Sequence, residues 1–172
     1  MDPAGEFTRF RERLQAYYPD DIRLKKIASR CMTMAQSGQY NYSRCARRGE
    51  QVAAEYAKAQ FAADAISMVF LLNRHYRPFY KWMHRALNGL PLLGTVVYEL
   101  IGRLFDNKIS GPGELIFERN VMIIEQVCQV VIEELNREGL SNSKSDFLLD
   151  HGPLVQLKIE DPIIRNINVW GE

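Results

Sequence analysis

The feature that most narrows what this chain can fold into is the run Ala65-Ile66-Ser67-Met68-Val69-Phe70-Leu71-Leu72. It continues an Ala-rich stretch of helical periodicity that starts near Arg44. The run is apolar on every side. A water-soluble helix of that kind must be covered all round, so it belongs at the centre of a bundle. The periodicity predicts one long helix over 44–74, roughly 45 Å at 1.5 Å per residue. The rest of the chain then has to supply the cover.

Nearly every other segment also reads as helix, and strand-like alternation is almost absent. A helix over 5–17 puts Phe7, Phe10, Leu14 and Tyr17 on one face. Pro19-Asp20-Asp21 ends it and opens a second helix over 21–36, with acidic residues at the new N-terminus. Ile22, Ile27, Cys31, Met34 and Ala35 lie near one face of that helix, and Gly38 reads as its C-cap. Gln39-Tyr40-Asn41-Tyr42-Ser43 reads as a polar, aromatic loop. Pro78 fits the first turn of a fourth helix running to Asn88. A fifth helix is expected over 92–105, a Gly-Pro loop over 107–113 and a sixth helix over 114–137. Leu115, Val121, Met122, Ile124, Val127, Cys128, Val131, Ile132 and Leu135 supply the core stripe of the sixth. Ser145 would cap a seventh helix, Pro153 would start another turn over 154–159, and Asp161-Pro162 would open a last short helix. Trp170 is expected to anchor the end of the chain.

The expected fold class is therefore all-α, a mostly antiparallel helical bundle around one long central helix. The 172 residues suit one domain. The expected parts are a leading helix over 1–20, a bundle core over 21–138 and short C-terminal helices packed on it over 139–172. Hydrophobic residues at 47% and charged residues at 25% exclude disorder for the bulk of the chain. No stretch approaches the roughly 18 apolar residues of a membrane span, and the first residues are too polar for a signal peptide. Cys31, Cys45 and Cys128 are odd in number and widely spaced, which fits neither a disulfide framework nor a zinc site. Buried reduced thiols, and with them a cytoplasmic location, are the expectation.

The net charge of +1 is unevenly spread: +5 over 1–48, +2 over 49–112 and −6 over 113–172. An acidic C-terminal helix lying beside the basic N-terminal part would account for this, and so would a phosphate-binding face. Two segments concentrate polar and aromatic groups. In Asn73-Arg74-His75-Tyr76-Arg77-Pro78-Phe79-Tyr80-Lys81-Trp82, the cations Arg74, Arg77 and Lys81 could meet phosphates while Tyr80 or Trp82 stacks on a base. The plainer alternative is that the rings plug the bundle end and the cations are solvated. Tyr40, Asn41 and Arg44 form the second segment, beside a helix N-terminus whose free N–H groups attract anions. One long helix between the segments would keep them apart unless it is bent or broken.

Several chemistries are missing. No Gly-Ser turn with paired carboxylates is present to hold magnesium for nucleotidyl transfer. There is no phosphate-binding Lys loop, no Gly-rich dinucleotide loop, no Ser elbow and no His/Glu metal pair. The residues indicate no catalytic group and no metal ligand. Arg77 and His84, six residues apart between them, loosely resemble the Arg/His spacing of metal-independent RNases of the HEPN bundle class. There His works as acid or base and Arg holds the phosphate.

A wider resemblance covers most of the chain. It is carried by Tyr18-Pro19-Asp20-Asp21-Ile22-Arg23-Leu24-Lys25-Lys26-Ile27-Ala28, Gly38-Gln39-Tyr40-Asn41-Tyr42, Phe70-Leu71-Leu72-Asn73-Arg74 and Pro78-Phe79-Tyr80-Lys81-Trp82. In the tail, Asp146-Phe147-Leu148-Leu149-Asp150-His151 and Glu160-Asp161-Pro162 add to it. Together these resemble an uncharacterised bacterial helical domain that follows a DNA polymerase beta-type nucleotidyltransferase domain. The resemblance implies that catalytic carboxylates, magnesium and nucleotide belong to a domain this chain lacks, and Met1-Asp2-Pro3-Ala4-Gly5 reads as a linker junction. Helical domains so placed in aminoglycoside and lincosamide nucleotidyltransferases cover the nucleotide and hold the acceptor. Carried over, Tyr40, Asn41, Arg44, Asn73, Arg74, Tyr80, Lys81 and Trp82 would face the missing domain or its substrate.

The leading expectation is a non-catalytic substrate-binding or accessory domain with no cofactor of its own. Its expected partners are a nucleotidyltransferase domain in cis and a nucleotide or small-molecule acceptor, with no membrane. The alternatives are a HEPN-like RNase or toxin using Arg77 and His84, and a helical module that forms a homodimer or binds another protein.

Overall fold

The computed structural model describes residues 5–106 and 115–171, whose regular structure is all helical, with no strand among them. The order is α1 (Glu6–Gln15), α2 (Asp20–Met34), a π-helical segment (Ala35–Tyr42), α3 (Ser43–Arg47), α4 (Gln51–Leu72), α5 (Tyr80–Leu87), α6 (Gly94–Leu104) and α7 (Ile116–Arg137). A 3-10 turn (Leu148–Asp150), α8 (Gly152–Gln156) and α9 (Pro162–Arg165) follow. The loop expected over 107–113 and the linker-like residues 1–4 lie outside the described residues.

The apolar run is central, as its composition demands. Every residue from 64 to 72 is buried. Phe61, Met68 and Val69 are completely covered, each contributing about 1.5–3 kcal/mol through burial. α2 packs along α4 and also meets α8 and α9, while α5 and α6 cover the far end of α4. No described helix is long and apolar enough to cross a membrane.

Five expectations need correction. The long helix is broken at Arg48-Gly49-Glu50. Gly49 takes φ 74°, with its N–H bonded to the Ala46 carbonyl and that of Glu50 to the Cys45 carbonyl. That closure ends α3 at a left-handed residue, which Gly adopts without strain. α4 is thus 22 residues, about 33 Å long.

The expected loop at 39–43 is instead the second half of the π-helix, so Gly38 caps nothing. A Cβ on Gly38 would lie 2.3 Å from Phe61 Cδ2 and 2.9 Å from Ile124 Cγ2. Only a hydrogen at that position lets the π-helix press against both α4 and α7.

The expected seventh helix at Ser145 shrinks to the 3-10 turn, because Ser143 and Ser145 hydroxyls accept from backbone N–H groups two residues on. Such side-chain turns compete with helix.

Leu115 and Met122, expected in the core stripe of the sixth helix, are 58% and 59% exposed, because they fall off the face that α7 turns to the bundle. Lastly, α1 buries nothing: Phe7, Phe10 and Leu14 are 73%, 63% and 52% exposed. Its apolar stripe is real, but no described part of this chain covers it.

The C-terminal residues form a strap along α2. Buried Lys25 donates through Nζ to Gln156 Oε1 at 2.9 Å and to the carbonyls of Ile167 and Asn168 at 3.3 and 2.6 Å. Ser29 donates to the Trp170 carbonyl, and the Asp21 carboxylate accepts from the N–H groups of Glu160 and Asp161. The Trp170 ring itself stays 40% exposed. The uneven charge meets at one point: buried Arg23 pairs with Glu138 at 2.9 Å and donates to the Leu71 carbonyl at the end of α4.

Candidate functional site

The chain leaves α4 through a second left-handed closure. The Arg74 N–H bonds to the Leu71 carbonyl and the His75 N–H to the Phe70 carbonyl. This is the pattern that Gly49 makes after α3, but here the left-handed residue is Arg74, at φ 54°. A side chain there costs roughly 1–2 kcal/mol. Tyr17, at the end of α1, is left-handed too, at φ 69°. The two strained residues sit at the ends of the helices that feed one site.

That site is a partly open recess of about 120 Å³ lined by Tyr17, Tyr18, Lys26, Phe70, His75 and Arg77, among others. Three tyrosine rings gather around it. Tyr17, Tyr18 and Tyr76 have pairwise centroid distances of 4.8 to 4.9 Å. Lys26 Nζ lies 5.4 Å from the Tyr18 ring centroid. His75 Nδ1 donates to the Asn73 carbonyl at 2.7 Å, which leaves Nε2 for another partner. The Tyr17 hydroxyl is buried and has no hydrogen-bond partner. Its pKa is pushed up to about 12, first by burial and then by neighbouring Tyr18. A buried hydroxyl that stays protonated is a donor for an anion. The volume equals that of about four waters, room for a phosphate or carboxylate rather than a whole nucleotide.

The other residues of the 73–82 segment divide into two groups. Asn73 is spent on the backbone, donating to the Val69 and Leu92 carbonyls and accepting from the Leu92 N–H. Arg74 pairs with Asp20 at 2.6 Å on the wall of an open cleft of about 440 Å³. Phe79, Tyr80 and Trp82 stand outward at 57%, 71% and 48% exposure. Lys81 Nζ lies 5.5 Å from the Trp82 ring.

The 39–44 segment is elsewhere. Arg44 stacks on Tyr40 at 4.6 Å and donates to its hydroxyl. Asn41 lines a groove of about 520 Å³ with Gln36, Cys45, Tyr56 and Gln60. No recess shares residues from both segments, although the helix between them is broken. The His84 ring stacks on Tyr98 at 4.4 Å, and its Nε2 donates to the Tyr98 carbonyl. Arg77 reaches Met83 Sδ at 4.0 Å. Among the described residues, no group of three His, Cys, Asp or Glu side chains is gathered as a metal would need.

Tyr17, Tyr18, Lys26 and Ser67 line the recess but were not legible as site residues. The Tyr17-Tyr18 doublet ahead of Pro19 was the available signal, masked because Tyr17 also fits the apolar face of α1.

Residues 1–83 match the family model of a domain of unknown function, DUF4037. Every residue lining the tyrosine recess falls inside that match. No curated protein and no solved structure matches the chain.

Proposed function

We propose that this chain is a non-catalytic, substrate-binding helical domain that works beside a nucleotidyltransferase domain of the bacterial kind its sequence resembles. In this reading magnesium and the catalytic carboxylates belong to that other domain, and this one holds the phosphate-bearing end of the substrate. The observation that carries it is the tyrosine recess. It combines an unpartnered, protonated hydroxyl with the cations Lys26 and Arg77, in a volume suited to one anionic group. Low dielectric under the rings strengthens a charge-assisted hydrogen bond there. The exposed stripe Phe7, Phe10 and Leu14 on α1 supports a partner domain, since an uncovered apolar helix face is the usual mark of a contact surface.

Thermal unfolding in inorganic pyrophosphate and in ATP tests the reading. Ligand that binds only the folded state raises the unfolding temperature with concentration. The expected result is such a rise, removed by Arg77→Ala, an exposed residue whose loss leaves the core intact. Tyr17→Phe should weaken pyrophosphate binding while leaving the unliganded protein as stable or more so, because it deletes an unpartnered buried hydroxyl. No rise with either ligand, or a rise indifferent to both variants, would overturn the assignment.

A further inference from the structure

The tyrosine recess leaves the outward rings of α5 without a role, and their surroundings are chemically one-sided. From Asn73 to Asn88 the chain holds four Arg or Lys and no acidic residue. Met83 and Leu87 face the core. At 100° per residue, Lys81 and Arg85 therefore point directly to solvent. Trp82 flanks them on one side and Tyr80, in the first turn, on the other. Phe79 joins the rings into one exposed cluster, 4.5 Å from Tyr80 and 6.1 Å from Trp82 by ring centroids. α6, which packs against α5, contributes one acidic side chain, Glu99, against Arg103.

We infer that this face of α5 binds a single-stranded polynucleotide, with bases stacking on Tyr80 and Trp82 and phosphates meeting Arg77, Lys81 and Arg85. Solvent-exposed rings beside cations are costly for a free surface but suit unpaired bases, whose π-faces stack on aromatic side chains regardless of sequence. A protein partner would be matched by apolar or acidic groups in a fixed outline; here the cations Lys81 and Arg85 stand between the rings Tyr80 and Trp82, so a strand crossing this face meets ring, cations and ring in turn. The inference shares Arg77 with the recess but rests on Tyr80, Trp82, Lys81 and Arg85, which do not line it.

Fluorescence anisotropy with labelled oligo(U) and oligo(dT) reads the interaction. Three phosphate contacts predict a slope of log K against log salt near −2. Tyr80→Ala with Trp82→Ala should weaken binding by about tenfold or more. Lys81→Ala with Arg85→Ala should flatten the salt slope by about 1.4. The two tryptophans of the chain allow a direct probe: in a Trp170→Phe background, oligo(U) should quench Trp82 emission. All four positions are exposed, so unchanged circular dichroism is expected and excludes misfolding as the cause. The pyrophosphate response should survive the ring variants. Three results would overturn the inference. The first is no binding at low salt. The second is displacement by duplex DNA as efficient as by single strands, which would mean charge alone. The third is concentration-dependent dimerisation lost in the ring variants, which would assign the rings to a second copy of the chain.

Discussion

Asn73 and Leu92 hold each other twice. The Asn73 carboxamide donates to the Leu92 carbonyl at 2.8 Å and accepts from the Leu92 N–H at 2.9 Å. The pair fastens the end of α4 to the turn that precedes α6, across the whole of α5. Asn73→Ala should therefore cost roughly 2–3 kcal/mol in urea unfolding, through three lost side-chain bonds and the two stranded backbone groups of Leu92. Its neighbour Arg74 makes an exposed ion pair, and Arg74→Ala should cost under about 1 kcal/mol. Equal costs would show that the Asn73 pairing does not hold the turn.

Gly38 gives a second prediction. Gly38→Ala forces a methyl into the Phe61 ring and should destabilise by roughly 1–3 kcal/mol. In a Phe61→Val background the same change should cost less, because the δ and ε carbons it strikes are gone. Strict additivity in that double-mutant cycle would refute the contact.

Alkaline pH provides a third. Burial holds the thiols of Cys31 and Cys128 well above their ordinary range. Burial also raises Tyr17 to about 12 and raises Tyr42. In each case the folded chain keeps a proton that the unfolded chain releases above about pH 9–10. The folded state then binds more protons, so stability falls as pH rises, by up to about 1.4 kcal/mol per pH unit for each group. Lys25 acts in the opposite sense, since burial lowers its pKa, but it is one group against four. The expected decline between about pH 8.5 and 10.5 should become shallower in the Cys31→Ala/Cys128→Ala variant. An unchanged slope would clear the thiols. Cys45, only partly buried, should be the thiol that labels in the native protein.

The sequence disclosed the parts of this fold that rest on composition. Residues 65–72 could only be central, and Val127, Cys128, Val131 and Leu135 of the expected stripe are core, whereas Leu115 and Met122 of the same stripe are exposed. What it hid depended on contacts between distant residues. The π-helix has no period to separate it from a loop, and Gly38 is explained by Phe61 and Ile124 rather than by its neighbours. The break at Gly49 was locally readable, but the Ala-rich pattern on either side has the same phase-tolerant look. At the recess, Arg77 was visible as a cation near rings. Tyr17 was not, because its importance comes from a left-handed turn and a buried hydroxyl, neither of which leaves a mark in the order of residues.

The strap on α2 has a consequence for how the chain is made. Lys25 leaves the ribosome well before its partners: its ammonium is satisfied by carbonyls 142 and 143 residues later. At about 5–20 residues per second, that separation is on the order of 10 s of synthesis. Until then α2 carries a buried-type lysine without those acceptors, so the bundle closes only after residues 156–168 have been made. Residues 167–170 act as a latch, and removing them should leave α2 in the condition of an unfinished nascent chain.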